Sequence, residues 1–196
     1  MQQTTSQWLT SLRQDLVIQI ELLDNPLIFH TTWGLFSPKA IDAGSRLLLR
    51  YIEYNENDRI LDLGCGYGPL GLSLAKHVEH CTLVDKDFIA IEYSQKNAEL
   101  NGLSNTTIQL SDGFKHLPKK ATYTLILSNL PAKTSKEHYY LFFYDALAHM
   151  EKGGRIYVVV ISGLRKFIKR TFLEVFGNHT KVKQGQNYTV AMAVKK

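Results

Sequence analysis

The stretch Leu61–Gly71, LDLGCGYGPLG, decides the fold. A short apolar run, RILDLG, ends in glycines, and a proline then opens a helical pattern from Pro69 to Val78. This is a buried strand turning into a helix that begins with proline in its first turn. Working outward, CTLVD is a second strand, and Phe88 to Leu100 is a helix closed by Asn101-Gly102. TTIQL, YTLIL and RIYVVVI are three further strands, accompanied by helices from about Lys136 to Met150 and from Leu164 to Phe176. Near the end, GQN separates HTKVK from YTVAMAV, a hairpin signal. Strands alternating with helices imply a doubly wound α/β sheet, mostly parallel, with a C-terminal antiparallel hairpin strand.

Upstream, Trp8, Leu9, Leu12, Leu16 and Ile20 share one helical stripe, so a helix is expected from about Ser6 to Leu23, stopped by Asn25-Pro26. LIFHTTWGLF reads as extended, and Ala40 to Tyr54 as a further helix. The organisation expected is a helical extension over residues 1–32 and one α/β domain over residues 33–196.

Composition narrows the class. The 196 residues are 44% apolar and 21% charged, which fits one soluble globular domain. The longest apolar run, Ile156 to Ile161, is far too short to span a bilayer. The N-terminal stretch lacks a basic region before an apolar one, so no signal peptide is expected. Two cysteines, Cys65 and Cys81, give neither a disulfide framework nor a zinc spacing, and a reducing cytoplasm is the expected setting. His77 and His80 adjoin Cys81 without a fourth ligand, so no metal is expected. Charge is uneven. Residues 1–100 hold 8 Lys/Arg against 13 Asp/Glu, and residues 101–196 hold 15 against 5. A basic C-terminal half suits an anionic partner such as RNA, though it also suits a plain solvated face.

Gly66 to Gly71 matches G-x-G-x-x-G, and Asp85 follows Gly66 by 19 residues, which keeps a dinucleotide such as NAD in view. Asp62 argues otherwise. A carboxylate directly before the glycines repels a pyrophosphate and attracts an ammonium or sulfonium group. S-adenosylmethionine (SAM) carries both cations and no phosphate. Asp85 after the second strand suits its ribose, and Asp112 in LSDGF suits the exocyclic amine of its adenine.

LDLGCGYGPLG, LVDKD, LSDGF and LILSNLP follow the motif order of class I SAM-dependent methyltransferases, which the chain resembles from about Trp33 onward. GLFSPKAIDAGSRLLL is similar to the segment before the glycine loop in the small-domain group that methylates ribosomal RNA on guanine N2. The resemblance implies a Rossmann-like sheet and SAM contacts by Asp62, Gly64, Cys65 and Gly66. It further implies contacts by Asp85 and Lys86 near the ribose, by Asp112 and Gly113 near the adenine, and by Asn129. Phe36 and Ser37 are implied to lie near the methionine end or the base pocket.

Methyl transfer is an in-line displacement, so the protein contributes mainly orientation. An exocyclic amine is a weak nucleophile because its lone pair is delocalised into the ring. Two acceptors on its N–H groups would pyramidalise the nitrogen. Asn129 Oδ1 and the Leu130 carbonyl are the candidate pair, and Pro131, with fixed φ and no N–H, helps hold that carbonyl. The family motif reads Asn-Pro-Pro followed by an aromatic or another apolar residue. Here it reads Asn129-Leu130-Pro131-Ala132.

Arg165, Lys166, Lys169 and Arg170 fall on one face of the last helix. Together with Lys133, and with Lys115, Lys119, Lys120 and Lys136 in loops near strand ends, they are candidates for RNA phosphates. The leading expectation is a SAM-dependent methyltransferase acting on a base amine of ribosomal RNA, guanine N2 first. A partner protein or a second copy of the chain could assist docking. A protein glutamine amide, a small-molecule amine, a SAM- or RNA-binding protein without catalysis, and an NAD(P) oxidoreductase remain the alternatives.

Overall fold

The computed structural model describes residues 14–196. A hairpin comes first, of strands β1 (Leu16–Leu22) and β2 (Asn25–Thr31), paired antiparallel from Leu16↔Thr31 to Leu22↔Asn25. Then follow α1 (Ala43–Tyr51), β3 (Arg59–Leu63), α2 (Gly71–Ala75), β4 (His80–Asp85), α3 (Phe88–Leu100) and β5 (Thr106–Leu110). The second half holds β6 (Tyr123–Asn129), α4 (Lys136–His149), β7 (Met150–Ile161), α5 (Arg165–Phe176), β8 (Thr180–Gln184) and β9 (Tyr188–Val194).

The seven-stranded sheet has the order β5-β4-β3-β6-β7-β9-β8. Strands β3 to β7 run parallel, and β9 is antiparallel to both β7 and β8. The chain first winds from β3 outward to β5 and then returns to β6 on the other side of β3. That reversal opens a crevice at the carboxyl ends of β3 and β6, where doubly wound sheets bind ligands.

Each face of the sheet has its own core. Ile60 of β3 packs with Leu48 of α1, Leu72 of α2, Ile91 of α3 and the hairpin residues Leu27 and Phe29. The neighbours Leu61 and Leu63 turn the other way, toward Phe143 of α4 and Ile168 and Phe172 of α5. Such two-sided burial explains why the parallel strands read as continuous apolar runs.

The expected N-terminal helix is corrected. Its first half, with Trp8, Leu9 and Leu12, lies outside the described residues, and its second half is β1. Ile18 and Leu22 are buried while Val17, Gln19 and Glu21 are exposed, the alternation of a strand with one wet face. Asn25-Pro26 therefore does not stop a helix; it opens β2. The turn before it is made by Leu23 (φ 50°) and Asp24 (φ 59°), both left-handed as a two-residue hairpin turn requires. The hairpin is no appendage either. Asn97 of α3 accepts from the His30 amide through Oδ1 at 2.7 Å and donates to the His30 carbonyl at 2.9 Å. Asn101, one turn on, pairs in the same way with Ile28, at 3.0 and 2.7 Å.

Candidate active site

The glycine loop sorts its glycines by direction. Gly64 (φ 73°) and Gly66 (φ 57°) need left-handed backbone, and a Cβ on either would meet nothing within 4 Å. They face open space. Gly68 and Gly71 face the protein: a Cβ on Gly68 would strike Leu72 at 2.5 Å, and one on Gly71 would strike Leu83 at 2.8 Å. The upper pair thus leaves backbone bare toward the crevice, and the lower pair seats α2 on the sheet. The loop is anchored by the Gly64 and Cys65 amides, which both donate to the Val84 carbonyl, at 2.9 and 3.0 Å. The thiol of Cys65 is buried against Ser94, and burial pushes its pKa well up.

The three acids do lie at successive strand ends, but the structure staggers them. Register places Gly64 beside Asp85 in β4 and, across β6, level with Asn129. Asp85 is half-buried in that row; its Oδ2 accepts from the Gly66 amide at 2.9 Å and its Oδ1 from the Asp87 amide at 3.0 Å. Asp62 sits two residues deeper and is fully buried. Its Oδ2 accepts from the Gly71 amide at 2.8 Å, while its Oδ1 has no hydrogen-bond partner among the described residues. Burial, with the Gly71 bond opposing it and the Asp85 charge adding to it, pushes the Asp62 pKa up to about 7. The carboxylate expected to face a cation directly is instead enclosed beneath the loop. Asp112 lies beyond the row, exposed and ion-paired with Lys115, which holds its pKa below the usual carboxylate range. Lys86 is exposed at the end of β4, and Gly113 (φ 60°) turns the chain after Asp112.

Across the crevice, Asn129 ends β6, half-buried. Its Nδ2 donates to Asp42 Oδ2 at 2.8 Å and to Ser45 Oγ at 3.0 Å. A flipped amide would set its oxygen against a carboxylate that only accepts, so these partners fix which atom faces them. Oδ1 is directed away and is free to accept. Asp42 is itself fixed: it caps α1 through the Gly44 and Ser45 amides and accepts from the Tyr188 hydroxyl at 3.0 Å. Gly44 has to be glycine, since a Cβ there would lie 2.8 Å from Asp42 Oδ2 and 2.9 Å from the Tyr188 ring.

The loop after β6 is braced too. The Leu130 amide donates to the Val159 carbonyl at 3.0 Å, extending the ladder by one residue, and its side chain is buried in the α4–α5 core. Tyr139 is buried, and its hydroxyl donates to the Pro131 carbonyl. Pro131 and Lys133 are exposed. Over the glycine loop, the Tyr67 hydroxyl donates to the Ser37 carbonyl at 3.2 Å, and neighbouring Phe36 is 66% exposed. Asp42, Ser45, Tyr67, Tyr139 and Tyr188 were missed by motif reading. Asp42 alone carried a signal, as an acid before a helix.

The cations do not form one face. Arg165, Lys166 and Lys169 line a cleft with His179 and Lys181, whereas Arg170 turns its guanidinium over the Phe167 ring, 5.8 Å from the centroid. Lys119 and Lys120 precede β6 at its amino end, and Lys120 borders a different concavity, with Arg59. Both therefore lie near a strand end, but at the amino edge of the sheet, away from Asn129. Among the described residues no group of His, Cys, Asp or Glu is arranged to hold a metal ion, and no helix is long and apolar enough to cross a membrane.

The family model of the methyltransferase small domain matches residues 26–192. The chain belongs to the methyltransferase small-domain family. Its match begins inside the hairpin, at β2, consistent with the shared core. Among its relatives is an uncharacterised Bacillus subtilis (strain 168) protein, YbxB, 37% identical over 142 residues, which are 71% of each chain. Ribosomal RNA small subunit methyltransferase C of Pseudomonas putida (strain KT2440) is 33% identical over 153 residues, 75% of this chain and 45% of that protein. A Thermus thermophilus 16S rRNA N2 G1207 methyltransferase, solved in complex with AdoMet and guanosine, superposes with a TM-score of 0.85 at 27% identity. That match covers 93% of this chain and 51% of the other. This small-domain methyltransferase thus spans about half the length of the ribosomal RNA methyltransferases it matches. The dinucleotide reading of the glycine loop gives way to a methyltransferase one.

Proposed function

We propose that this chain transfers the methyl group of S-adenosylmethionine to an exocyclic amino group of a base in ribosomal RNA, with guanine N2 the favoured acceptor. The observation that carries the reading is the Asn129 amide. Asp42 and Ser45 hold both of its hydrogens, so Oδ1 is presented as an acceptor, level with the glycine loop across one strand gap. The relative solved with AdoMet and guanosine supports both the donor and the class of acceptor.

The residues fit the donor. Bare backbone at Gly64 and Gly66 admits close approach, and Asp85 keeps a lone pair on each oxygen for a pair of hydroxyls. Beneath them, the unpartnered Oδ1 of Asp62 supplies negative potential to a cationic ligand. When bound, the donor supplies an electrophilic methyl group on a sulfonium. Asp112 would reach an adenine amine by releasing Lys115, and Cys65, Lys86 and Gly113 complete the lining.

On the substrate side, Asn129 Oδ1 and the Leu130 carbonyl accept from the two N–H groups of the base amine. Drawing on both hydrogens draws the nitrogen lone pair out of conjugation and toward the methyl. With a donor bound, the methyl would pass from sulfur to this nitrogen, and because an amide oxygen is no base, Asn129 would hold the amine while its surplus proton leaves to solvent. Pro131 offers no competing N–H, and the Tyr139 hydroxyl holds its carbonyl. Ala132 offers no ring for stacking, and exposed Phe36, whose neighbour Ser37 is bonded to Tyr67 of the glycine loop, is the aromatic we assign to the base.

Radiolabelled methyl transfer from SAM to total RNA, to protein and to small-molecule extracts tests the substrate class. Label in RNA is expected, on guanine N2 after nuclease digestion; label in protein glutamine or in small amines alone would overturn the RNA assignment. Asn129→Ala should lower transfer by about 100-fold or more while SAM binding persists. A fully active variant would remove Asn129 from the mechanism.

A further inference from the structure

The cleft beneath α5 is the strongest charged feature outside the site. It has a volume of about 290 Å³, and Arg165, Lys166, Lys169 and Lys181 converge on it together with His179. No acid lines it, and none of these four cations makes an ion pair among the described residues. Like charges gathered at one concavity repel, and an anion bound among them relieves that repulsion. His179 reports that field: burial first, and then Lys169 and Lys181, lower its pKa below the usual histidine value. Thr189 and Gln184 add uncharged hydrogen-bonding groups. The cations come from two elements, the helix α5 and the edge strand β8, so helical spacing alone does not account for the cluster.

Its position matters as much as its charge. Val160, which lines the cleft, follows Val159, the residue paired with Asn129 across β6 and β7. The cleft therefore lies over β7, β9 and β8, one to three strand spacings of about 4.8 Å from the Asn129 strand. It opens on the α5 face of the sheet, whereas Asn129 points to the α1 face, so a strand that reaches both passes over the carboxyl edge of β7 and β9.

We infer that this cleft is a phosphate-binding site for the RNA backbone, which fixes the register of the strand whose base enters the active site. The inference rests on the RNA reading above. It separates Lys169 and Lys181, which contact phosphate, from Arg170, which packs on Phe167. Backbone contacts of this kind position the strand and carry no sequence preference.

The test compares RNA binding by the parent chain, by Lys169→Gln/Lys181→Gln, and by Lys76→Gln/Lys152→Gln, which removes the same charge from exposed positions outside the cleft. Small-subunit ribosomal RNA fragments are titrated over a range of salt. The cleft variant should bind about tenfold more weakly near 0.1 M salt, and its log–log salt slope should flatten by about 1.5 for two lost phosphate contacts. Its SAM affinity and melting temperature should match the parent, and the control variant should keep most of the parent slope. A cleft variant with parental affinity and slope, or a loss equalled by the control, would overturn the site while leaving the RNA reading intact. A parent chain that binds no RNA yet methylates another amine would overturn both.

Discussion

Two aspartates four residues apart, Asp58 and Asp62, are both buried, and the sheet treats them in opposite ways. Asp58 stands at the amino edge. Arg155 grips it with two bonds, at 2.9 and 2.7 Å, the Thr124 hydroxyl donates at 2.7 Å, and the Asn55 amide donates at 2.8 Å. Every oxygen is filled. Asp62, at the carboxyl edge, has one amide and one orphaned oxygen. A buried charge satisfied from within ties strands together, whereas one left short of partners is stabilised by what binds from outside. The difference marks which edge of the sheet is scaffold and which is site.

The widest test of this contrast is pH. Asp62 has its folded pKa raised from 3.8 to about 7, so its protonated form is favoured by folding. Its contribution is fully present below pH 4 and is lost as pH rises through 7. Urea unfolding of the ligand-free protein should show the parent losing stability relative to Asp62→Asn over that window, by on the order of a few kcal/mol. Parallel curves for the two proteins would break the contrast. Next in size, Asp58→Ala should destabilise the fold by about 3 kcal/mol, because Arg155 is left without its carboxylate. SAM affinity of the folded fraction should be unchanged. Smallest is the effect of Asp62→Asn on SAM binding at pH 8. Affinity should fall by about tenfold, the worth of one nearby charge at reduced dielectric; calorimetry with unaltered affinity would make Asp62 as structural as Asp58.

The parallel strands and the glycine loop were legible because a doubly buried strand has to be apolar and the loop has to bend sharply. RILDLG, CTLVD and YTLIL carry that requirement locally. β1 was misread because Leu16 and Ile20 satisfy a helical stripe as well as a period of two. Its turn also gave no warning, since Leu23 and Asp24 adopt left-handed backbone without a glycine. Asn129 was found from its position after a strand. Its partners were not: Asp42 lies 87 residues away, and Tyr188 reaches Asp42 from 146 residues further on. Helix spacing likewise gathered Arg165, Lys166, Lys169 and Arg170, but only the packing of α5 on the sheet divides them and brings Lys181 to the first three.

The paired amides of Asn97 and Asn101 also bear on how this domain comes apart. Each asparagine gives β2 the same donor and acceptor that a neighbouring strand would, so the outer edge of the hairpin is capped by a helix. Asn97 is fully buried and also donates to the Tyr67 carbonyl in the glycine loop, at 2.9 Å. Opening the hairpin would therefore strand polar atoms beneath the ligand loop and bare Leu27 and Phe29 in the same event. The amide protons of Ile28 and His30 should consequently exchange with solvent as slowly as those of the central strands, which would make the hairpin open together with the main sheet.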